Sequence, residues 1–340
     1  MNQLLMSSRA AVTVTVAAFA TLSLGAQSPA PARTAPAAPS VKAKAWTART
    51  ADGQPDLTGN WSNATYTPLE RPASFAGKEF FTPEEAAAFA KAGADRLNSQ
   101  ASDDIHYDDA IWQAENYKKG VSSLRTSLVV DPPDGLIPAL TDAARARPAP
   151  PVPGGNPADR RADSYENRTL AERCITWGND GPPMLPVGYN ANLDILQGPG
   201  YVVVRNEMVH SARVIPINGS RPHPGAKIRH WSGDSVGRWE GNTLVVDTTN
   251  FNSKTRFRNS TSALHVTERF TRTDADTIVY SFTIEDPNTW TRPWTAEIPL
   301  VKVPGPIYEY ACHEGNYGLP NILRAQRVED AKGARPATTD

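Results

Sequence analysis

Two neighbouring stretches of this chain alternate apolar and polar residues with a period of two, and that alternation decides the fold class. Ile278, Tyr280, Phe282 and Ile284 fall on one face of residues 277–285, and Trp294, Ala296, Ile298 and Leu300 on one face of 292–303. Successive side chains of an extended strand point to opposite faces, so each stretch is predicted to be a strand buried on one side. Asp274-Ala275-Asp276 supplies a hairpin-length turn between 264–271 and 277–285. Upstream, 193–196, 201–206 and 212–217 form a candidate meander, turning at Gly198-Pro199-Gly200 and at Glu207-Met208, while 125–130, 243–248 and 307–312 add strands. The prediction is a mainly β domain, an antiparallel β-barrel with short peripheral helices and long loops, or alternatively a β-sandwich. A barrel has the advantage of leaving no open edge.

The first half reads differently. Arg9 precedes an uncharged apolar run, 10–25, that ends in small residues, which predicts a signal peptide over 1–26. The alternative is an uncleaved anchor. Residues 27–52 are rich in Ala and Pro and are expected to be a disordered linker. A single β-rich domain is then expected over 53–330, with a loop insertion at about 102–188 and a polar tail at 331–340. Thr82-Pro83-Glu84-Glu85 carries helix-start signals leading into 86–91, and short helices are expected at 141–147 and 320–327. The expected location is periplasmic or extracellular, with no membrane insertion once the signal is removed, as a monomer or dimer. Basic and acidic residues nearly balance, 35 against 36, which removes electrostatic support for nucleic-acid binding. The chain has two cysteines, Cys174 and Cys312. In an oxidising compartment an isolated pair reads as a disulfide; the rival is a reactive thiol, with His313 beside Cys312.

Gly59-Asn60-Trp61 resembles the first strand of lipocalin-like (calycin) barrels, whose Trp plugs the closed end. Five blocks resemble a large uncharacterised family of secreted bacterial proteins: 55–61, Glu172-Arg173-Cys174 with Trp177-Gly178-Asn179, the run 233–248, 264–270 and 308–312. The resemblance covers most of the chain after residue 53 and implies an exported single domain. It implies no catalytic residue.

There is no Gly-rich phosphate loop, no His-Glu-x-x-His, no Gly-x-Ser-x-Gly and no cysteine metal cluster. The candidates are instead polar residues on apolar strand faces. Period two puts Glu268 with Leu264, Val266 and Phe270. A carboxyl there is either a raised-pKa acid–base catalyst or half of an ion pair with Arg213, Arg238 or Arg256. His265 and His313 are candidate proton handlers, and Arg213 a candidate stabiliser of negative charge. Trp231, Asp234, His210 and Trp239 are candidate substrate-binding residues, the first two within a loop-like run at 229–235. No cofactor is expected; a divalent metal held by His210, His265 and His313 with Glu207 or Glu314 is the open alternative. Two functions follow. One is an exported acid–base enzyme (hydrolase, lyase or isomerase) acting on a small carbohydrate or plant-type aromatic compound. The other is a periplasmic lipocalin-like carrier of a small hydrophobic or aromatic ligand.

Overall fold

The computed structural model describes residues 46–98, 123–148, 162–178, 180–217, 219, 221–255 and 257–332. The expected signal peptide, most of the linker, parts of the insertion and most of the tail lie outside the described residues. Ten strands form one antiparallel sheet: β1 Gly59–Ser62, β2 Val129–Asp131, β3 Asn192–Gly198, β4 Tyr201–Asn206, β5 Ala212–Pro216, β6 Asp234–Glu240, β7 Thr243–Thr249, β8 His265–Arg272, β9 Thr277–Glu285 and β10 Trp294–Lys302. Their order is β5-β4-β3-β1-β10-β9-β8-β7-β6, and β2 also pairs with β10. The sheet curls until its two ends meet at a single parallel bridge between Ile217 and Gly237. The result is a nearly closed barrel and not a sandwich. Gly237 suits the seam: a Cβ there would sit 3.0 Å from the Ile217 Cγ2 and 3.1 Å from that of Ile215.

The alternating segments explain the interior. Ile278, Tyr280, Phe282 and Ile284 of β9 and Trp294, Ala296, Ile298 and Leu300 of β10 are all buried, joined by Leu193, Ile195, Val202, Val204, Leu244 and Val246 from the other walls. Tyr280 opposes Ile298 and Phe270 across the two ladders, so rings and branched chains meet in register. The Arg272 guanidinium lies between the rings of Trp46 and Trp61, 3.9 and 4.9 Å from their centroids. It also donates to the backbone of Asp56 and Ala275, filling the barrel beside the β8–β9 hairpin. Connections β4–β5, β7–β8 and β9–β10 lie at the opposite end, which is where the clefts open.

Among the described residues three α-helices flank the barrel: α1 Pro83–Asn98, α2 Asp142–Arg145 and α3 Gly318–Ala331. Thr82 and Glu85 form the reciprocal cap that the sequence signals, the Thr82 amide donating to Glu85 at 2.8 Å. Both α1 and α3 exceed their expected spans. Residues 307–312 are not a strand: Pro304, Gly305 and Pro306 interrupt pairing, and the segment is tied down at Cys312. In the segment 125–130 the strand begins only at Val129, with Arg125 forming an isolated antiparallel bridge to Phe80. The Cys174–Cys312 disulfide is formed, with Cα atoms 5.7 Å apart. Among the described residues no helix is long and apolar enough to cross a membrane.

Candidate functional site

The clefts are built by the strandless stretches 164–178 and 180–184, laid over the barrel mouth. Thr169 and Glu172 cap each other, the Thr169 amide donating to Glu172 at 3.0 Å and the Glu172 amide to the Thr169 hydroxyl at 3.2 Å. The disulfide fixes Cys174, which adopts a left-handed φ of 55°, and Asn316 Nδ2 donates to the Glu172 carbonyl at 2.8 Å. Further on, Asn206 Nδ2 donates to the Asp180 carbonyl at 3.0 Å, and the Met184 amide to the Tyr280 hydroxyl at 3.0 Å. These bonds tie the segment directly to inward-facing residues of the barrel.

Two clefts meet there. The larger, about 680 Å³, is walled by Arg168, Arg173, Trp177, Asp180, Trp231 and Phe257, among others. The smaller, about 470 Å³, has Asp180, Ser211, Arg213, Arg229, Trp231 and Asp234 in its wall. Asp180, Trp231 and Ser232 belong to both. Gly233, at a φ of 69°, turns the Trp231 loop into β6; a Cβ there would lie 2.7 Å from the Thr249 carbonyl oxygen.

Asp180 is only 5% exposed. Burial pushes its pKa up to about 7, against the opposing pull of the Trp177 and Asp180 amides, the Ser211 hydroxyl and the Arg213 charge. Its Oδ2 has no hydrogen-bond partner among the described residues. A carboxyl that changes protonation near neutrality, with one oxygen uncommitted, has the properties of a general acid or base.

Behind Asp180 lies the ion pair named as the alternative role of Glu268. Glu268 is fully buried. Arg213 grips it with both terminal nitrogens, Nη2 donating to Oε1 at 2.9 Å and Nη1 to Oε2. The Tyr280 hydroxyl donates to Oε1 at 2.9 Å. Burial works against the Arg213 charge, yet Glu268 raises its pKa further; burial first, then Glu268, lifts Tyr280 well above the usual phenol range. With three donors on its two oxygens, Glu268 anchors Arg213 beneath the smaller cleft.

His265 stands elsewhere, on the outer face of the barrel, within a chain of alternating charge. Arg221 donates to Asp234 at 2.6 and 3.0 Å. His223 lies between Asp234 (2.7 Å) and Asp247 (2.9 Å), and His265 between Asp247 (2.6 Å) and Glu285 (3.0 Å). Both nitrogens of each ring face carboxylate oxygens. The bond to Asp247 chiefly raises His265 to about 8, against burial and with help from Glu285. Asp247 is correspondingly lowered, above all by its bond to His265. Burial would raise Asp234, but Arg221 and His223 outweigh it and hold its pKa low.

The sequence candidates therefore divide. Arg213, Trp231 and Asp234 share the smaller cleft, with Glu268 directly behind it. Trp239 is part of the inward face of β6, packed against the core. His210 ends the 3-10 turn Met208–His210, with a left-handed φ of 53° and a buried Nδ1 that has no partner among the described residues. His313 sits in the turn after Cys312. The three histidines are not brought together with Glu207 or Glu314, and the described residues contain no group of three or more His, Cys, Asp and Glu arranged to hold a metal. Two residues were missed. Asp180 lies within the loop insertion expected at about 102–188, and its one sequence signal is an acid between Trp177-Gly178 and Gly181-Pro182. His223 sits in a loop with no periodic context. No family model matches the chain, and no curated protein matches it significantly.

Proposed function

We propose that this chain is an acid–base enzyme acting on a small ring compound, a carbohydrate or plant-type aromatic, at the junction of the two clefts. The observation that carries the reading is Asp180: a buried carboxyl at that junction, poised near neutrality, with Oδ2 uncommitted. Trp177 and Trp231 stand on the cleft walls as stacking surfaces for a ring. Arg213, held by Glu268, places positive charge where Asp180 is left anionic after giving up its proton. Glu268 in this reading is a positioning residue, and His265 belongs to the outer chain.

The chemistry narrows with the number of available acids. Hydrolysis by a carboxyl pair needs a second uncommitted acid; of the two other acids in the cleft linings, Asp234 is tied to Arg221 and His223, and Glu166 meets Lys254 at 3.5 Å. A single proton handler suits an isomerase or a lyase. Asp180 takes a proton from a substrate carbon, and the electron pair left behind either recovers a proton in a new position or expels a leaving group from the adjacent carbon. The disulfide, the predicted signal segment and the resemblance to a secreted family support a working place outside the cytoplasm.

The test is a product screen. The protein is incubated with pooled oligosaccharides and plant aromatics, and each pool is read by mass spectrometry and by proton NMR in deuterated water. A product or deuterium exchange that vanishes in Asp180→Asn is the expected result. Pools left chemically unchanged, with one compound retained on the protein, would replace the enzyme with a carrier.

A further inference from the structure

Cationic side chains outnumber acidic ones six to three in the linings of the two clefts, although the whole chain has a net charge of −1. One of those three acids is Asp180, which spends part of its time uncharged at neutral pH. The cations are not all neutralised by neighbours. Among the described residues Arg173 meets no carboxylate and lies 5.1 Å over the Tyr165 ring. Among the described residues Arg229 likewise donates only to backbone carbonyls, those of Phe251 and Ser262. Arg168 is the most telling. It is 6% exposed and lines the larger cleft, and one terminal nitrogen is engaged by Glu172, yet its buried Nε has no acceptor among the described residues. A buried charged donor without an acceptor is costly, so a group that supplies one binds with that cost relieved. Guanidinium groups present flat donor arrays that fit oxyanions, and a walled cleft strengthens the attraction.

We infer that the ligand of the clefts carries an oxyanion on its ring, and that Arg168 and Arg173 hold that group in the larger cleft while the rest of the ring reaches Asp180. The inference rests on the reading of these clefts as the substrate site and specifies the substrate class: an acidic sugar or an aromatic acid. It also accounts for the position of the cations beside Asp180, since an anion fixed by arginine steers the ring without occupying the proton handler.

The experiment compares matched probes on the whole protein by calorimetry and tryptophan fluorescence. The pairs are galacturonate against galactose, galactose 6-sulfate against galactose, and 4-hydroxybenzoate against 4-hydroxybenzyl alcohol. At least one acid is expected to bind ~10-fold or more tightly than its neutral partner, a gap of about 1.4 kcal/mol. The gap is expected to shrink to about twofold in Arg173→Gln and in Arg168→Lys, which keeps a cation for Glu172 while removing Nε, and to narrow with salt. Which acid binds separates carboxylate from sulfate as the anion. Neutral partners binding as tightly as acids, a gap that survives in both variants, or no acid bound at millimolar concentration would each overturn the inference. A protein that keeps the gap but turns over none of the acids removes the acid–base reading alone and leaves the anion site standing.

Discussion

Replacing Asp180 by Asn separates a working carboxyl from a structural one, because the two roles predict stability changes of opposite sign. Burial lifts this pKa from 3.8 to about 7. The folded protein therefore holds a proton on Asp180 that the unfolded chain gives up at about pH 4. This group's contribution to stability is full below about pH 4, is lost as pH rises toward about 7, and is level above. The loss is on the order of 4 kcal/mol, from about 1.4 kcal/mol per pH unit across the interval. Asparagine has nearly the same shape, keeps an acceptor for the Trp177 amide and the Ser211 hydroxyl, and carries no charge to bury. Urea unfolding of both proteins between about pH 4 and 8 measures the difference directly. The variant is expected to gain on the native protein as pH rises, ending more stable by a few kcal/mol while losing turnover. A variant that is less stable at about pH 8, or a difference that stays flat with pH, would show that the buried carboxylate is a satisfied structural group and refute the reasoning.

Other consequences follow from the same geometry. His265, raised to about 8, contributes stability that is complete below about pH 6.5 and disappears as pH passes through about 8. The ring is partly exposed, so solvent screening leaves about 1 kcal/mol of this, and His265→Gln should flatten the decline in denaturant curves while NMR titration of the native ring reports the high pKa. Arg213→Met leaves Glu268 buried and unpaired and should cost about 3–5 kcal/mol in thermal or urea unfolding, most of it recovered in the Arg213→Met/Glu268→Leu double variant; equal losses in single and double variants would argue against this. Replacing both cysteines by Ser should remove up to about 5 kcal/mol by the chain-entropy argument. Because Cys174 lies in the cleft segment, turnover and tryptophan fluorescence should suffer while far-UV circular dichroism of the barrel persists.

The barrel was legible where burial is one-sided. Strands β8 to β10 declare themselves because alternate positions face a packed interior and the others face water. The same pattern made Glu268 conspicuous, since a carboxyl at an inward position needs a partner, and Arg213 was among the partners it could take. Asp180 was hidden for the opposite reason. Its segment has no period, being held by a disulfide, a side-chain cap and isolated hydrogen bonds to Asn206 and Tyr280, all of which are long-range except the cap. Burial of such a residue depends on what folds over it. The outer histidine chain was illegible for a similar reason: His223 comes from a loop and reaches Asp247 and Asp234 only after β6 and β7 have paired. The failed strand at 307–312 shows local pattern yielding to Pro304 and Pro306.

At the seam between β5 and β6 the barrel lacks the ladder of backbone hydrogen bonds that joins its other walls, and what spans the gap is side-chain chemistry: Arg213 of β5 reaching Glu268 of β8 and, at 3.5 Å, the Ser235 hydroxyl of β6. A ladder opens residue by residue, whereas a bidentate ion pair opens as a unit. Opening would wet Glu268, free Arg213 and alter the field at Asp180 in one event. The amides of β5 and β6 should therefore exchange with solvent well before those of β9, and the frequency of that local opening sets how often the cleft loses the charge on which its proton chemistry depends.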